Sequence, residues 1–257
     1  MYIQTLIKKI LSGKTPVTVD KTPIKVVPQK NYGSSTSIVI LVPVIHHIEP
    51  STDESLRKLE SLGYTVWRRY GFSSIEQCKC VMAQEALDAG FEHLFWINPD
   101  VNFSSADIEK LVNSELLFVT VPYSTKGWPL LTTQFKDKEV VLGSKGGVYE
   151  INYTSSGFIY THKSLYEKIR DMLDIKKVKI VGEDYELYPY FYPLIINDQY
   201  LDGDLSFCYR VKQTGTKIYS NTTIKIEHIG KYSYSLDYQD DSVFEKINGV
   251  VIKRIKK

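Results

Sequence analysis

Three separated groups of polar residues hold the side chains of this 257-residue chain that are best suited to chemistry. The first group, Asn98-Pro99-Asp100-Val101-Asn102, directly follows the apolar run Leu94 to Ile97. The second is Asp202-Gly203-Asp204, and the third is His228, in the sequence Glu-His-Ile-Gly. An aspartate and a histidine can share a divalent cation whose coordination shell is completed by substrate phosphate oxygens and water. A carboxylate held beside such a site, such as Asp204, can take a proton from an attacking hydroxyl.

Each group also has an interpretation that involves no catalysis. Asn, Pro and Asp favour turns for local reasons, so residues 98–102 can be an ordinary turn after a strand. Acidic residues are common in the first turn of a helix, which would account for Asp202 and Asp204. A lone histidine such as His228 is more often structural than a ligand. The elements that carry the three groups must therefore decide between these interpretations.

Strands and helices alternate around the first group. Apolar β-branched runs predict the strands, and capped amphipathic stretches predict the helices. In chain order they are strand Ser37–Val44, helix Pro50–Leu62, strand Tyr64–Arg69, helix Ser73–Ala89, strand Leu94–Ile97, helix Ser105–Asn113 and strand Leu116–Val121. This alternation predicts an α/β fold with a mostly parallel central sheet flanked by helices. Ligands bind at the C-terminal ends of the strands in such sheets, which is where residues 98–102 stand.

The second half of the chain is less regular. Residues 126–153 are rich in glycine and predict hairpins or a small antiparallel flap. Helices are predicted over Ser164–Met172 and Asp202–Thr214, and a strand over Lys217–His228. We divide the chain into an N-terminal amphipathic helix and linker (1–36), a catalytic domain (37–230), and a C-terminal tail that packs on this domain (231–257).

The N-terminal residues predict a short amphipathic helix, because apolar side chains recur at helical spacing over Met1–Leu11. One interpretation packs this helix on the domain or on a second subunit, which would make a homodimer. The other is peripheral contact with an anionic membrane surface. No secretory signal pattern is present, and the three cysteines have no paired spacing, so we expect a cytoplasmic protein.

The charge of the chain argues against a nucleic-acid partner. The formal net charge is +2 and the basic residues are spread along the chain, so no nucleic-acid partner is expected. Hydrophobic content of 43% and charged content of 24% are ordinary for a globular protein.

A series of short segments occurs in an order that is more specific than any one of them. They are Ile38–Pro43, Gly71–Lys79, Leu94–Phe103, Val121–Lys126, Thr154–Ile159, Tyr200–Arg210 and Thr223–Gly230. In this order, over about Ser37 to Gly230, the chain resembles the nucleotide-sugar-dependent glycosyltransferases of the GT-A fold, family 2-like. The resemblance implies a single GT-A-like, Rossmann-related domain. It also implies transfer of a hexosyl or pentosyl group from a UDP- or GDP-sugar to a glycan or other hydroxyl acceptor, assisted by Mn²⁺ or Mg²⁺.

The resemblance also implies roles for individual residues. Asp204 would be the base of a displacement that inverts the anomeric carbon, with retention as the alternative, and the metal ligands would be Asp100, His228 and Asn102. Donor-binding roles fall on Pro43, Lys79, Asn98, Pro99, Gly157 and Phe158. Acceptor-binding roles fall on Tyr123 and Asp202, with Glu183 and Asp184 as further candidate carboxylates in an acidic, tyrosine-rich loop.

The chain departs from the family pattern at two positions. Asn98 stands where the family usually has Asp, and Gly203 stands where it commonly has Glu. One carboxylate in place of two predicts weaker metal binding. These departures keep open the alternative of a non-catalytic nucleotide- or glycan-binding homologue. A nucleotidyltransferase is a further alternative, but it would need a glycine-rich basic loop after the first strand, where this chain has Pro43-Val44-Ile45-His46-His47.

Overall fold

The computed structural model describes residues 37–126, 130–182, 184–230, 232–234, 244–247 and 250–253. Its helices are α1 Pro50–Ser61, α2 Ile75–Asp88, α3 Ser105–Val112, α4 Lys163–Met172 and α5 Gly203–Gln213. The strands of its largest sheet are β1 Ile38–Pro43, β2 Thr65–Arg69, β3 His93–Ile97, β5 Phe118–Thr120, β6 Thr133–Phe135, β8 Val148–Thr154, β9 Phe158–His162 and β14 Tyr219–Asn221. The shorter strands are β4 Val101–Asn102, β7 Glu139–Val141, β10 Val178–Lys179, β11 Glu186–Leu187, β12 Leu194–Ile196, β13 Gln199–Leu201, β15 Glu227–Ile229, β16 Ser233–Tyr234, β17 Phe244–Ile247 and β18 Val250–Lys253.

The central sheet has eight strands in the order β2-β1-β3-β9-β5-β14-β8-β6. Strands β1, β2 and β3 are mutually parallel, as are β5 and β14, whereas β9 and β8 run against their neighbours. The small sheets are β16-β15-β4, β17-β18-β7 and the hairpins β10-β11 and β12-β13. The predicted fold class is therefore confirmed: one α/β domain with a mostly parallel sheet and small antiparallel additions.

The strand β1 shows why the sheet is covered on both faces. Its side chains alternate between two cores: Val39 and Leu41 pack with α2, α4 and α5, while Ile40 and Val42 pack with α1 and α3. All four side chains are fully buried. A continuous apolar run of this kind is typical of a parallel strand between two layers of helices. The strand ends that emerge from these layers are left to form the site.

The predicted strand over Lys217–His228 is wrong as a single element, because it divides into β14 and β15. Asn221 causes the break locally, since its side-chain oxygen accepts hydrogen bonds from both the backbone N–H and the hydroxyl of Thr223. β14 stays in the central sheet, whereas β15 pairs with β4, with His228 opposite Val101. This division carries His228 to the end of β3, next to Asp100.

A strand that the sequence did not predict lies at the centre of the sheet. β9 pairs antiparallel with both β3 and β5 and thereby joins the two parallel parts of the sheet. Its first residue, Phe158, follows Ser156-Gly157, so the chain enters the sheet directly from the candidate site.

Several predicted features fall at or beyond the limits of the described residues. The N-terminal helix and linker (1–36) and Glu183 lie outside them. In the tail, β18 pairs with β7 of the domain. None of the helices described in the structure is long and apolar enough to cross a membrane.

Candidate functional site

A cleft of about 370 Å³ opens at the C-terminal ends of β1 and β3. Residues from five separate segments line it. The predicted residues among them are Pro43 at the end of β1, Lys79 from α2, Asn98, Pro99 and Asp100 after β3, and Asp204 from α5. The first two groups of polar residues identified in the sequence therefore meet in one cleft.

His228 lies beside Asp100 in a fixed orientation. Its Nδ1 is 3.0 Å from the carbonyl oxygen of Ser124 and must donate to it, because a carbonyl only accepts. Its Nε2 is thereby turned toward Asp100 Oδ2, at 3.4 Å. The edge of the buried Tyr123 ring packs against the imidazole at 5.2 Å between ring centres. A histidine whose second nitrogen is anchored to a carbonyl is the usual arrangement for a metal ligand.

Asp100 is an ionised carboxylate with one free oxygen atom. Burial opposes its ionisation, but His228 and Lys126 outweigh burial, so the pKa of Asp100 lies below its ordinary value of 3.8. Lys126 Nζ is 2.5 Å from Oδ2. The other oxygen, Oδ1, is buried and has no hydrogen-bond partner. A buried carboxylate oxygen without a hydrogen-bond partner lowers the stability of the fold, so a ligand that binds this oxygen of Asp100 would remove that cost.

These residues fit a divalent cation only if substrate supplies further ligands. Asp100 and His228 provide one oxygen and one nitrogen donor. No group of three or more His, Cys, Asp and Glu side chains with metal-binding geometry occurs among the described residues. Mg²⁺ and Mn²⁺ commonly keep few protein ligands and complete their shells with phosphate and water. The site therefore suits a cation held jointly by protein and diphosphate.

Lys79 and Asp204 form a buried ion pair at the other side of the cleft. Their Nζ and Oδ1 atoms are 2.6 Å apart, and only 4% of the Lys79 side chain is exposed. Ser156 donates its backbone N–H to Oδ2 at 2.8 Å and its hydroxyl to Oδ1 at 2.7 Å, and Lys79 in turn donates to that hydroxyl. Burial opposes ionisation of Asp204, but Lys79 and Ser156 outweigh it and lower its pKa below 3.8. Asp204 is thus ionised and firmly held at neutral pH.

Gly157 is required by the close approach of Tyr123. A Cβ atom at this position would lie 1.8 Å from the Tyr123 hydroxyl oxygen. That hydroxyl is 2.9 Å from the hydroxyl of Ser155, and the carbonyl of Gly157 accepts the backbone N–H of Asn98 at 3.0 Å. Gly157 and Tyr123 are not among the residues that line the cleft, but Gly157 holds the segment that carries Asn98.

Gly203 is also explained by packing. A Cβ atom there would lie 2.5 Å from Cγ of Glu76 and 2.7 Å from the carbonyl oxygen of Phe191. The space that an acidic side chain would need at position 203 is thus already filled by Glu76 of α2. The departure from the family pattern at Gly203 has a steric cause in this chain.

Some predicted site residues lie apart from the cleft. The Asn102 side chain accepts a hydrogen bond from Ser55 and donates one to Glu227, at 3.1 and 3.2 Å. Asp202 caps α5 by accepting the N–H of Leu205 at 2.9 Å, while Phe158 is fully buried against other aromatic rings. Asp184 is exposed in the loop between β10 and β11. None of these four residues is among those that line the cleft.

The cleft also contains residues that the sequence did not single out. His46, His47 and Glu49 line it beyond the end of β1, and Lys126 lines it on the opposite side. The rule that ligands meet the C-terminal ends of parallel strands would have found the histidines, since they follow Pro43 and Val44 directly. Lys126 follows the segment after β5, and its sequence neighbours give no signal of its pairing with Asp100.

Comparison with known proteins gives structural similarity only. No family model and no curated protein matches the chain. Among solved structures, A197 from STIV superimposes with a TM-score of 0.52 at 12% identity, over 81% of this chain and 98% of A197. The fold is the GT-A-like fold that the sequence predicts. The identity to A197 is too low to carry more than the fold.

Two solved enzymes of different classes show weaker structural similarity to this chain. GalNAc-T7, solved with UDP, GalNAc and Mn²⁺, superimposes with a TM-score of 0.42 at 10% identity, over 75% of this chain and 43% of its own. The 4-diphosphocytidyl-2C-methyl-D-erythritol synthase of Anaerococcus prevotii gives 0.35 at 11% identity, over 58% of this chain and 81% of its own. Superpositions this partial carry no argument about activity, so the function must be argued from the cleft.

Proposed function

We propose that this protein is a glycosyltransferase that moves a sugar from a UDP- or GDP-sugar to a hydroxyl group of a glycan or similar acceptor. The observation that carries the proposal is the meeting of Asn98, Asp100, Lys79 and Asp204 in one cleft at the ends of β1 and β3. These residues come from segments that are far apart in sequence. The order of those segments is also what the family resemblance rests on.

The Asp100 side of the cleft is proposed to bind the diphosphate of the donor. Asp100 and His228 would hold Mn²⁺ or Mg²⁺, which when bound offsets the negative charge that develops on the departing nucleotide diphosphate. Asn98 and Pro99 form the adjoining wall of the cleft, and Pro43, His46 and His47 lie at the end of β1. These residues would position the nucleotide portion of the donor.

Asp204 is proposed to accept the proton of the acceptor hydroxyl. As that O–H bond breaks, the acceptor oxygen forms a bond to the anomeric carbon, and the bond from this carbon to the diphosphate oxygen breaks. The outcome is inversion at the anomeric carbon when attack comes from the face opposite the diphosphate. Lys79 and Ser156 hold the carboxylate in place, and its lowered pKa keeps it ionised. The acceptor hydroxyl must then displace one of these partners.

The test is transfer and donor hydrolysis with purified protein and a panel of UDP- and GDP-sugars in Mn²⁺. We expect turnover by the wild type and a loss of about a hundredfold or more in Asp204→Asn, which is the usual scale for removal of a general base. Asp202→Asn is the matched control, because it changes an acid at the same helix start that does not line the cleft. Equal turnover in wild type and Asp204→Asn would refute the catalytic role.

One observation favours the non-catalytic alternative. Both oxygens of Asp204 already accept hydrogen bonds from Lys79 and Ser156. Unless one of these partners is displaced, the carboxylate holds α5 against α2 and takes no proton. Binding of UDP or GDP in calorimetry without turnover against any acceptor would support this alternative and contradict transfer.

A further inference from the structure

Lys126 lies beside the candidate diphosphate site and has no role in the function proposed above. Its Nζ is 2.5 Å from Asp100 Oδ2, and the side chain lines the same cleft as Asn98, Asp100 and Asp204. About 39% of the Lys126 side chain is exposed, so it remains accessible to solvent while it is paired with Asp100.

The backbone that directly precedes this lysine is held in place. The N–H of Thr125 donates to the carbonyl of Leu130 at 2.8 Å, and Ser124 forms a β-bridge with Leu131. The stem of the lysine runs past Gly230, where an added Cβ atom would lie 3.3 Å from its Cδ. The lysine stem therefore passes close to the backbone of Gly230 on its way to Asp100.

The number of donors on an ammonium group allows Lys126 to bridge. A lysine ammonium carries three N–H donors, and Asp100 takes one of them. The other donors can bind phosphate oxygens on the open side of the cleft. Lysine is a common phosphate ligand and acts there as a compact positive charge.

The charges in the cleft favour such a role. Lys79 is already neutralised by Asp204 at 2.6 Å and is almost completely buried, so its charge is largely committed. Asp100 is the acid next to the proposed diphosphate position, and Asn98 supplies no second carboxylate. A diphosphate placed there would meet the carboxylate of Asp100, in a cleft that Glu49 also lines, and Lys126 is the cation that directly offsets Asp100.

We propose that Lys126 bridges Asp100 and the diphosphate of the donor, so that nucleoside diphosphates bind to this protein without a divalent cation. This inference rests on the proposed function, because it assumes that the cleft takes a nucleoside diphosphate. In this role the Lys126 ammonium group offsets negative charge on the diphosphate, which a bound cation would otherwise do alone.

The test is calorimetric binding of UDP and GDP to the full chain, first in EDTA and then in Mn²⁺. We expect the wild type to bind one of them in EDTA and Lys126→Met to bind it about tenfold to a hundredfold more weakly, as for loss of a charged hydrogen bond. Lys126→Met should regain binding in Mn²⁺, which also shows that the variant is folded.

Lys163→Met is the matched control. Lys163 pairs with Glu92 at the same 2.5 Å distance and has a similarly exposed side chain, 36%, but it lies at the opposite end of β3. We expect this variant to bind as the wild type does in both conditions.

Three results would contradict the inference in different ways. Equal affinity of wild type and Lys126→Met in EDTA would remove the role of Lys126. Binding by the wild type in Mn²⁺ but not in EDTA would also overturn it, while leaving the proposed function intact. Binding of neither nucleotide in either condition would overturn the proposed function and the inference together.

Discussion

The ionisation of Asp204 depends on two buried neighbours, Lys79 and Ser156. The Lys79 side chain is 4% exposed, and its Nζ is 2.6 Å from Oδ1 of Asp204. Removal of either side chain would therefore leave the charge of the other without a partner. The lowered pKa of Asp204 has a consequence for stability. Because the folded-state pKa lies below 3.8, the pair stabilises the fold above that pH, and this contribution is lost as the pH falls through the lowered pKa.

Replacement of Asp204 should therefore lower stability in a pH-dependent way. We expect Asp204→Asn to lose about 3–5 kcal/mol of unfolding free energy at pH 7, because Lys79 remains buried without its counter-charge. The difference from wild type should narrow below pH 3.8. Urea denaturation at pH 7 and at pH 3 measures both quantities. The double variant Lys79→Met/Asp204→Asn should be more stable than Asp204→Asn alone, and a double variant that is less stable would contradict the ion-pair argument.

Gly157 should tolerate no side chain. In Gly157→Ala the new methyl group would overlap the Tyr123 hydroxyl, so the Tyr123 ring, which packs against His228, would have to move. We expect a loss of about 1–3 kcal/mol, typical of overpacking, and a lower melting temperature. The double variant Tyr123→Phe/Gly157→Ala should recover only part of this, since the Cβ would still lie 2.5 Å from the ring carbon Cζ. An unchanged melting temperature in Gly157→Ala would show that this contact is absent.

At the level of elements, the site depends on where helices and strands begin and end. α5 starts at Gly203 against α2, and β15 leaves the line of β14 to pair with β4. The first junction places Asp204 beside Lys79, and the second places His228 beside Asp100. Neither junction is a property of a single element.

The junction of α2 and α5 can be tested through Gly203. Gly203→Ala would bring a methyl group to 2.5 Å from Glu76 Cγ and 2.7 Å from the Phe191 carbonyl, so α5 must shift. We expect a loss of about 1–3 kcal/mol in chemical denaturation. Glu76→Ala/Gly203→Ala should restore part of the stability, because the first contact is then removed and the backbone contact remains. No recovery in the double variant would mean that Glu76 does not fill this space.

Local sequence patterns predict some elements of the fold, but not the contacts between distant elements. The helices and the parallel strands β1, β2, β3 and β5 could be predicted, because each has a period, a cap or an apolar run of its own. β9 could not, since its short run after Ser156-Gly157 becomes a strand only between β3 and β5. The pairing of Asp100 with Lys126 and the packing of Glu76 against Gly203 are long-range contacts with no local signal.

The predicted site residues divide in a similar way. Asp100 and Asp204, which the structure brings to one cleft, can be singled out from sequence because a short polar group after a strand and an acidic helix start are recognisable patterns. Asn102, one position beyond Val101 in β4, belongs to the same motif, but its amide is bound to Ser55 and Glu227. Position in a motif thus indicated the region, while side-chain direction depended on strand pairing.

At the scale of the whole molecule, the sheet gathers distant segments into one cleft. Parallel strands bring their C-terminal ends to one edge, and the reversed strand β9 returns the chain to that edge at Ser156 and Gly157. The small sheet β16-β15-β4 closes the same edge beside Asp100. We propose that this edge binds a nucleoside diphosphate through Asp100 and its neighbours.

The most direct test of this claim is a crystal structure of the protein with UDP or GDP and Mn²⁺, with the anomalous signal of manganese measured. We predict diphosphate density in the cleft beside Asn98 and Lys126, and a manganese peak within coordination distance of both Asp100 and His228. Nucleotide bound at another surface, or a manganese peak away from Asp100, would contradict the account.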